Sequence, residues 1–282
     1  MWTLDRPAHT ARATYRACIS RVRDPVLRAR LEAATQTIVD ASAVFDDAAS
    51  RHVLHEIVRQ AVVAPDVTTE EMEKVYTQRM AREGAPGRGV YDDIFGSAPQ
   101  GRCPLCAQRL VATLDHHLPK AHYPALSVAP LNLVPSCMDC NKLKLHAFPQ
   151  TAEQVPLHPY YDDLGQDRWL LASVVETCPA AVRFRITRPA GWDDVLTARV
   201  RNHFQTLNLA MLYAAEAAEE LVNIRHQLID IHDTGGREEV RNELANRALS
   251  CATGRPNGWR CATYRAWTES DWFCDGGFAL VD

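Results

Sequence analysis

The sequence predicts an α+β protein, mainly helical, with a small cysteine-stapled segment near its middle. Three observations carry this. Apolar residues recur at helical spacing from about residue 10 to 83 and again from about Val195 to Leu249. Trp169 to Glu176 and Val182 to Thr187 read as two short strands, the second alternating Val182, Phe184 and Ile186 with arginines, and together they suggest a hairpin. Between these regions, Cys103-Pro-Leu-Cys106 and Cys137-Met-Asp-Cys140 bracket a set of polar residues.

In the first region, Val53, Leu54, Ile57, Val58, Ala61 and Val62 predict a helix that Pro65 ends. Asp66-Val-Thr-Thr-Glu-Glu then supplies capping residues and first-turn acids for a helix from about Thr69 to Arg82. Gly84, Pro86, Gly87 and Gly89, followed by Gly96, Pro99 and Gly101, break the periodicity and mark a boundary. The chain thus reads as a helical N-terminal region (1–98), a cysteine-bracketed module (99–150) and a mixed, mainly helical C-terminal region (151–282). In the last, a long helix from about Val195 to Ile231 breaks near Asp233-Thr-Gly-Gly, and another covers about Arg237 to Leu249. The tail, with Trp259, Tyr264, Trp267, Trp272 and Phe273, is expected to pack back on the core; an exposed base-stacking cluster is the alternative. His52 and His55 read as ordinary helix histidines.

Composition bounds the function. With 282 residues, 46% hydrophobic and 23% charged, the chain is of ordinary globular type. No stretch approaches the roughly 20 apolar residues that span a bilayer, and no secretory signal opens the chain, so a cytoplasmic protein without membrane contact is expected. The first thirty residues hold seven arginines against Asp5 and Asp24; an amphipathic helix with Arg12 and Arg16 on one stripe is preferred to a transit peptide. A net charge of -4 excludes a protein that coats nucleic acid by bulk electrostatics. Residues 101–150 nevertheless carry five basic and two acidic side chains, so any attraction to phosphate would be local.

Nine cysteines in a large, unsignalled chain are best read as reduced. Cys103, Cys106, Cys137 and Cys140 have the spacing of a closed tetrahedral Zn²⁺ site, which folds a module and leaves no open position for substrate. A redox dithiol is the other reading of such pairs. Cys18, Cys178, Cys251, Cys261 and Cys274 read as small core residues.

The polar set comprises Leu114-Asp115-His116-His117-Leu118-Pro119-Lys120, Asn132-Leu-Val-Pro135 and Cys140-Asn141-Lys-Leu-Lys144. In order and spacing this stretch, about 45 residues, resembles HNH endonucleases of the ββα-metal class. The resemblance implies two strands, near Val111 to Asp115 and Leu131 to Val134, and a helix near Met138 to His146. It implies a structural zinc and a catalytic Mg²⁺ or Mn²⁺ held by Asp115 and Asn141, with His146 as a further ligand. His116 would be the general base, an imidazole titrating near 6.5, and Asn132 would fix the loop that carries it. His117 stands where the family favours a bulky apolar or aromatic residue, and it is the alternative base. Lys120, Lys142 and Lys144 are candidate phosphate contacts. Adjacent strand residues point to opposite faces, so Asp115 and His116 must sit at a strand end, which Pro119 favours. The implied activity is phosphodiester hydrolysis, with DNA favoured. The layout also looks like HNH effectors that act beside an ATPase in Septu-type phage defence, which implies an ATPase partner. A non-catalytic zinc-binding module that contacts nucleic acid or protein is the competing reading.

Overall fold

In the computed structural model, which describes residues 1–63, 66–144 and 148–280, capping side chains set where the first helices begin. The Thr10 hydroxyl accepts from the Ala13 N–H at the start of α1 (Ala11–Ile19), and the Asp24 carboxylate accepts from Val26 and Leu27 at the start of α2 (Pro25–Ala33). α3 (Thr35–Ser50) ends before His52, whose φ of 59° is left-handed. The helix expected over Val53 to Val62 does not form. The chain makes one 3-10 turn, Leu54–Glu56, then runs irregularly into β1 (Val62–Val63), which pairs antiparallel with β2 (Val67–Thr68). Val53, Ile57, Val58 and Val62 are β-branched and gain little from helix, and the Gln60 N–H bonds to the carbonyl of His122 instead. His52 and His55 therefore share no helix. Pro65 lies outside the described residues.

Thr68 and Glu71 close a reciprocal capping box on α4 (Thr69–Tyr76), and the helical path continues through a π turn, Thr77–Ala81. The glycines read as breakers admit a further helix, α5 (Arg88–Gly96). β3 (Thr113–His116) and β4 (Leu133–Ser136) then pair antiparallel, with His116 opposite Leu133 and Asp115 opposite Val134. The short helix α6 (Met138–Lys144) follows.

By contact the chain forms two compact units, Met1–Asp163 and Leu164–Asp282. The expected division at residue 98 does not separate two cores. Tyr15, Ile38, Met72, Met80 and Ile94 are buried in one cluster with Leu114, Val128 and Leu133, which flank or belong to the small hairpin. Phe45 and Leu54 share a second cluster with Leu118, Tyr123, Leu126 and Val155. Each such side chain contributes about 1.5–3 kcal/mol of burial, so the strands depend on the N-terminal helices for hydrophobic cover.

The second unit opens with the expected hairpin, β5 (Leu170–Val175) against β6 (Ala181–Ile186). α7 (Asp194–Thr206), capped by Asp193, is separated from α8 (Leu209–Gly254) by Asn208 at φ 50°. The sequence had carried one helix through that point. The break expected near Asp233-Thr-Gly-Gly falls at Gly236, φ 71°. α9 (Trp259–Glu269) and α10 (Asp271–Cys274) form the tail. Trp267 is fully buried and stacks on Phe273 with ring centroids 5.0 Å apart; Trp259 and Tyr264 are buried with them, while Trp272 is half-buried. Cys178, by contrast, is exposed and Cys251 half-buried, so neither is a core residue; Cys18, Cys261 and Cys274 are. No helix among the described residues is long and apolar enough to cross a membrane.

Candidate functional site

The four paired cysteines converge. All are buried, and their sulfurs lie within 4.8 Å of one another. A tetrahedron with metal–sulfur bonds of about 2.3 Å has edges of about 3.8 Å, and Cys106 Sγ and Cys137 Sγ are 4.0 Å apart. In each pair the turn aims a backbone N–H at a sulfur: Arg109 donates to Cys106 Sγ and Cys140 donates to Cys137 Sγ, both at 3.4 Å. Such donors stabilise thiolates. Crowding makes the bare thiols unequal: hydrogen bonds from Cys106, Cys137 and Cys140 hold Cys103 far below the usual thiol range, and hydrogen bonding with Cys103, Cys106 and Cys137, aided by burial, drives Cys140 far above it. The cluster is compatible with structural zinc, which would relieve that competition. Arg109 pairs with Asp139 at 2.8 Å and ties the first turn to the start of α6.

Beside this cluster, Asp115 and His116 are the last two residues of β3. Both are buried, as are His117 and Asn132. His116 Nε2 lies 2.9 Å from the Ser127 carbonyl. A carbonyl only accepts, so Nε2 carries the proton and Nδ1 keeps the lone pair. Tyr76 packs edge-on to the imidazole at 4.4 Å. Burial, opposed by the Ser127 bond and reinforced by Lys120 and Lys144, lowers the His116 pKa to about 3. The ring is thus neutral well below its ordinary range, contrary to the expectation of an unperturbed imidazole. His117 is placed differently: it stacks on His158 with centroids 4.1 Å apart and a 33° tilt, a packing contact.

Asn132 is fully buried and makes three bonds. Its Oδ1 accepts from the Leu118 N–H at 2.7 Å, and its Nδ2 donates to the carbonyls of Leu118 at 3.0 Å and Leu126 at 3.2 Å. It therefore fixes both sides of the loop after His116.

Of the three lysines, only Lys142 is fully exposed. Lys120 is half-buried, its ammonium 6.0 Å from the centre of the Tyr76 ring. Lys144 is not a surface group. Its ammonium is 2.9 Å from Asp115 Oδ2 and donates to the His116 carbonyl. Burial raises the Asp115 pKa, while Lys144 opposes that shift. Asn141 is half-buried and lies one helical turn before Lys144 on α6. A hard carboxylate oxygen and an amide oxygen suit a hard divalent cation, and Asp115 already holds one cation, the ammonium; a metal would have to share or displace it. His146 lies outside the described residues.

Protein ea31 of Escherichia phage lambda is 30% identical to this chain over 236 residues, 79% of each. The chain belongs to the ea31 family. The match is longer than either compact unit, so the ea31 likeness runs through both. No protein-family profile matches the chain, and no solved structure does.

This ea31-family site also includes residues that the sequence did not single out. After α6 the chain returns through Leu157-His-Pro-Tyr-Tyr-Asp162 along the start of β4. His158 Nε2 donates to the Leu131 carbonyl at 3.0 Å, and the Tyr160 hydroxyl donates to the Leu133 carbonyl at 2.8 Å. These bonds straddle Asn132, and Leu133 is the cross-strand partner of His116. Asp162 accepts from the His158 N–H at 2.7 Å and steadies the turn. The available signal was the run of His and Tyr just past residue 150.

Proposed function

We propose that the first unit is an HNH-type nuclease that hydrolyses phosphodiester bonds, DNA favoured, using a His116 base and one divalent metal. The observation that carries this reading is His116: a neutral imidazole at a strand end, its Nε2 proton committed to Ser127 and its Nδ1 able to accept a proton from water. The loop behind it is pinned by Asn132. A phosphate drawn in by Lys120 and Lys142 would raise the basicity of the ring by adding negative charge beside it. Asp115 and Asn141 would hold Mg²⁺ or Mn²⁺, which supplies charge neutralisation at the scissile phosphate when bound. The zinc-compatible cluster shapes the turns and takes no part in the chemistry.

The test is plasmid and oligonucleotide cleavage with Mg²⁺ or Mn²⁺, comparing wild type and His116→Ala with bound zinc recorded in both. Metal-dependent cutting that disappears in the variant while one zinc per chain persists supports the reading. Cutting that survives His116→Ala removes it.

A second reading, a zinc-binding interaction module without catalysis, is favoured by one contact: Lys144 neutralises Asp115 in the interior, as a purely structural ion pair would. An ATPase partner and a role in defence rest on the resemblance to Septu-type effectors.

A further inference from the structure

We infer that the second unit carries its own phosphate-binding face, formed by Arg183 and Arg185 on the outer side of the β5–β6 hairpin, and that its ligand is a nucleic-acid backbone. The inference shares its substrate class with the proposed nuclease but rests on different residues.

The hairpin is sided. Val182 and Phe184 of β6, with Leu170 and Ala172 of β5, turn inward and are buried, where α8 packs on β6 and α9 on β5. Alternation then places Ala181, Arg183 and Arg185 outward, all exposed. Their cross-strand partners on that face are Val175, Ser173 and Leu171. None is acidic. A carboxylate across the strand would stabilise each arginine, and like charges close together are unfavourable. Neither arginine has an ion pair among the described residues, although Arg168 and Arg188, just outside the hairpin, are paired with Glu269 and Asp194.

Residues two apart on a strand have their backbones about 7 Å from each other, a spacing from which two arginine side chains can reach successive phosphates along one nucleic-acid strand. Each offers a fork of donors suited to phosphate oxygens, and the Ser173 hydroxyl lies directly across from Arg183. Since the whole chain is net negative, a protein that grips a polyanion must concentrate its basic groups, and an uncompensated pair on a rigid face does so.

The experiment measures binding of labelled duplex and single-stranded oligonucleotides, without added divalent metal, across a series of NaCl concentrations. It compares the full-length wild type with Arg183→Gln/Arg185→Gln. The double variant should bind about tenfold more weakly at low salt, and its slope of log K against log salt on duplex should fall by about 2, one per lost phosphate contact. The double variant should be no less stable, its melting temperature equal to or above that of the wild type. Unchanged affinity and slope in the double variant, or no binding by the wild type, overturns the inference. Equal weakening toward poly-glutamate assigns the face to an acidic protein and overturns it as well. Failure here leaves a His116-dependent cutting activity standing, and loss of that activity leaves the salt dependence standing, so the two readings fail separately.

Discussion

Replacing Asn132 should uncouple folding of the loop after His116 from the zinc-compatible cluster. In Asn132→Ala the Leu118 N–H and the carbonyls of Leu118 and Leu126 lose a fully buried partner at 2.7 Å, 3.0 Å and 3.2 Å. A buried group left without its partner costs about 1–3 kcal/mol. Three such groups set an upper range that relaxation and entry of a water into the vacated space will reduce, so a loss of about 3–4 kcal/mol is expected. Asn132→Asp keeps the acceptor for Leu118 N–H but aims a carboxylate at two carbonyls, and it should be at least as destabilising at neutral pH. Burial raises the pKa of the new carboxyl above its unfolded value. The folded state then binds more protons, so the deficit should shrink as pH falls and the protonated acid again donates. The assay is urea unfolding of both variants at about pH 7 and pH 5, with zinc content measured in parallel. A loss below about 1 kcal/mol in Asn132→Ala, or no pH dependence in Asn132→Asp, would show that Asn132 does not hold this loop.

Three further outcomes follow from the same geometry. Cys137→Ser should abolish zinc binding and make residues 99–144 sensitive to limited proteolysis, because a structural zinc contributes on the order of 10 kcal/mol of folding energy; persistence of one zinc per chain contradicts the site. Lys144→Met leaves Asp115 buried without its counter-charge and should cost about 3 kcal/mol at neutral pH. Since burial already raises the Asp115 pKa, that cost should fall as pH drops and the carboxyl protonates; urea midpoints at two pH values decide this. His116, held near pKa 3 in the folded state against about 6.5 unfolded, favours unfolding as pH falls below about 6.5, by about 3 kcal/mol at pH 4.5. His116→Gln, whose amide can still donate to Ser127, should lose that part of the pH dependence, and an identical pH profile for the two proteins argues against a buried neutral ring.

The parts of the site legible in the sequence are those set by local spacing. Each cysteine pair is one turn, so its geometry is nearly fixed by two intervening residues, and the pairs met as expected. Asp115 and His116 at a strand end follow from strand alternation and Pro119, and Thr68 and Glu71 announce α4. What stayed hidden depends on contacts distant in sequence. Val53 to Val62 has helical spacing, but tertiary bonding by Gln60 and β-branching override it. Lys144 looks like any solvated lysine until α6 docks and brings Asp115 to its ammonium. His158 and Tyr160 serve carbonyls 27 residues earlier, a relation that no local pattern encodes. Asn208 breaks a helix whose apolar periodicity runs on through it.

The shared core of the first unit bears on how such a protein can be taken apart. Leu114 and Leu133, on the paired strands, lie among Tyr15, Ile38 and Met72, while the carbonyls of Leu131, just before β4, and of Leu133 are held by His158 and Tyr160. The cysteine-bracketed segment is thus not a cassette. Transplanting residues 99–150 into another scaffold would strip its hydrophobic floor and its carbonyl clamp together, and the smallest transferable piece is the whole of Met1–Asp163.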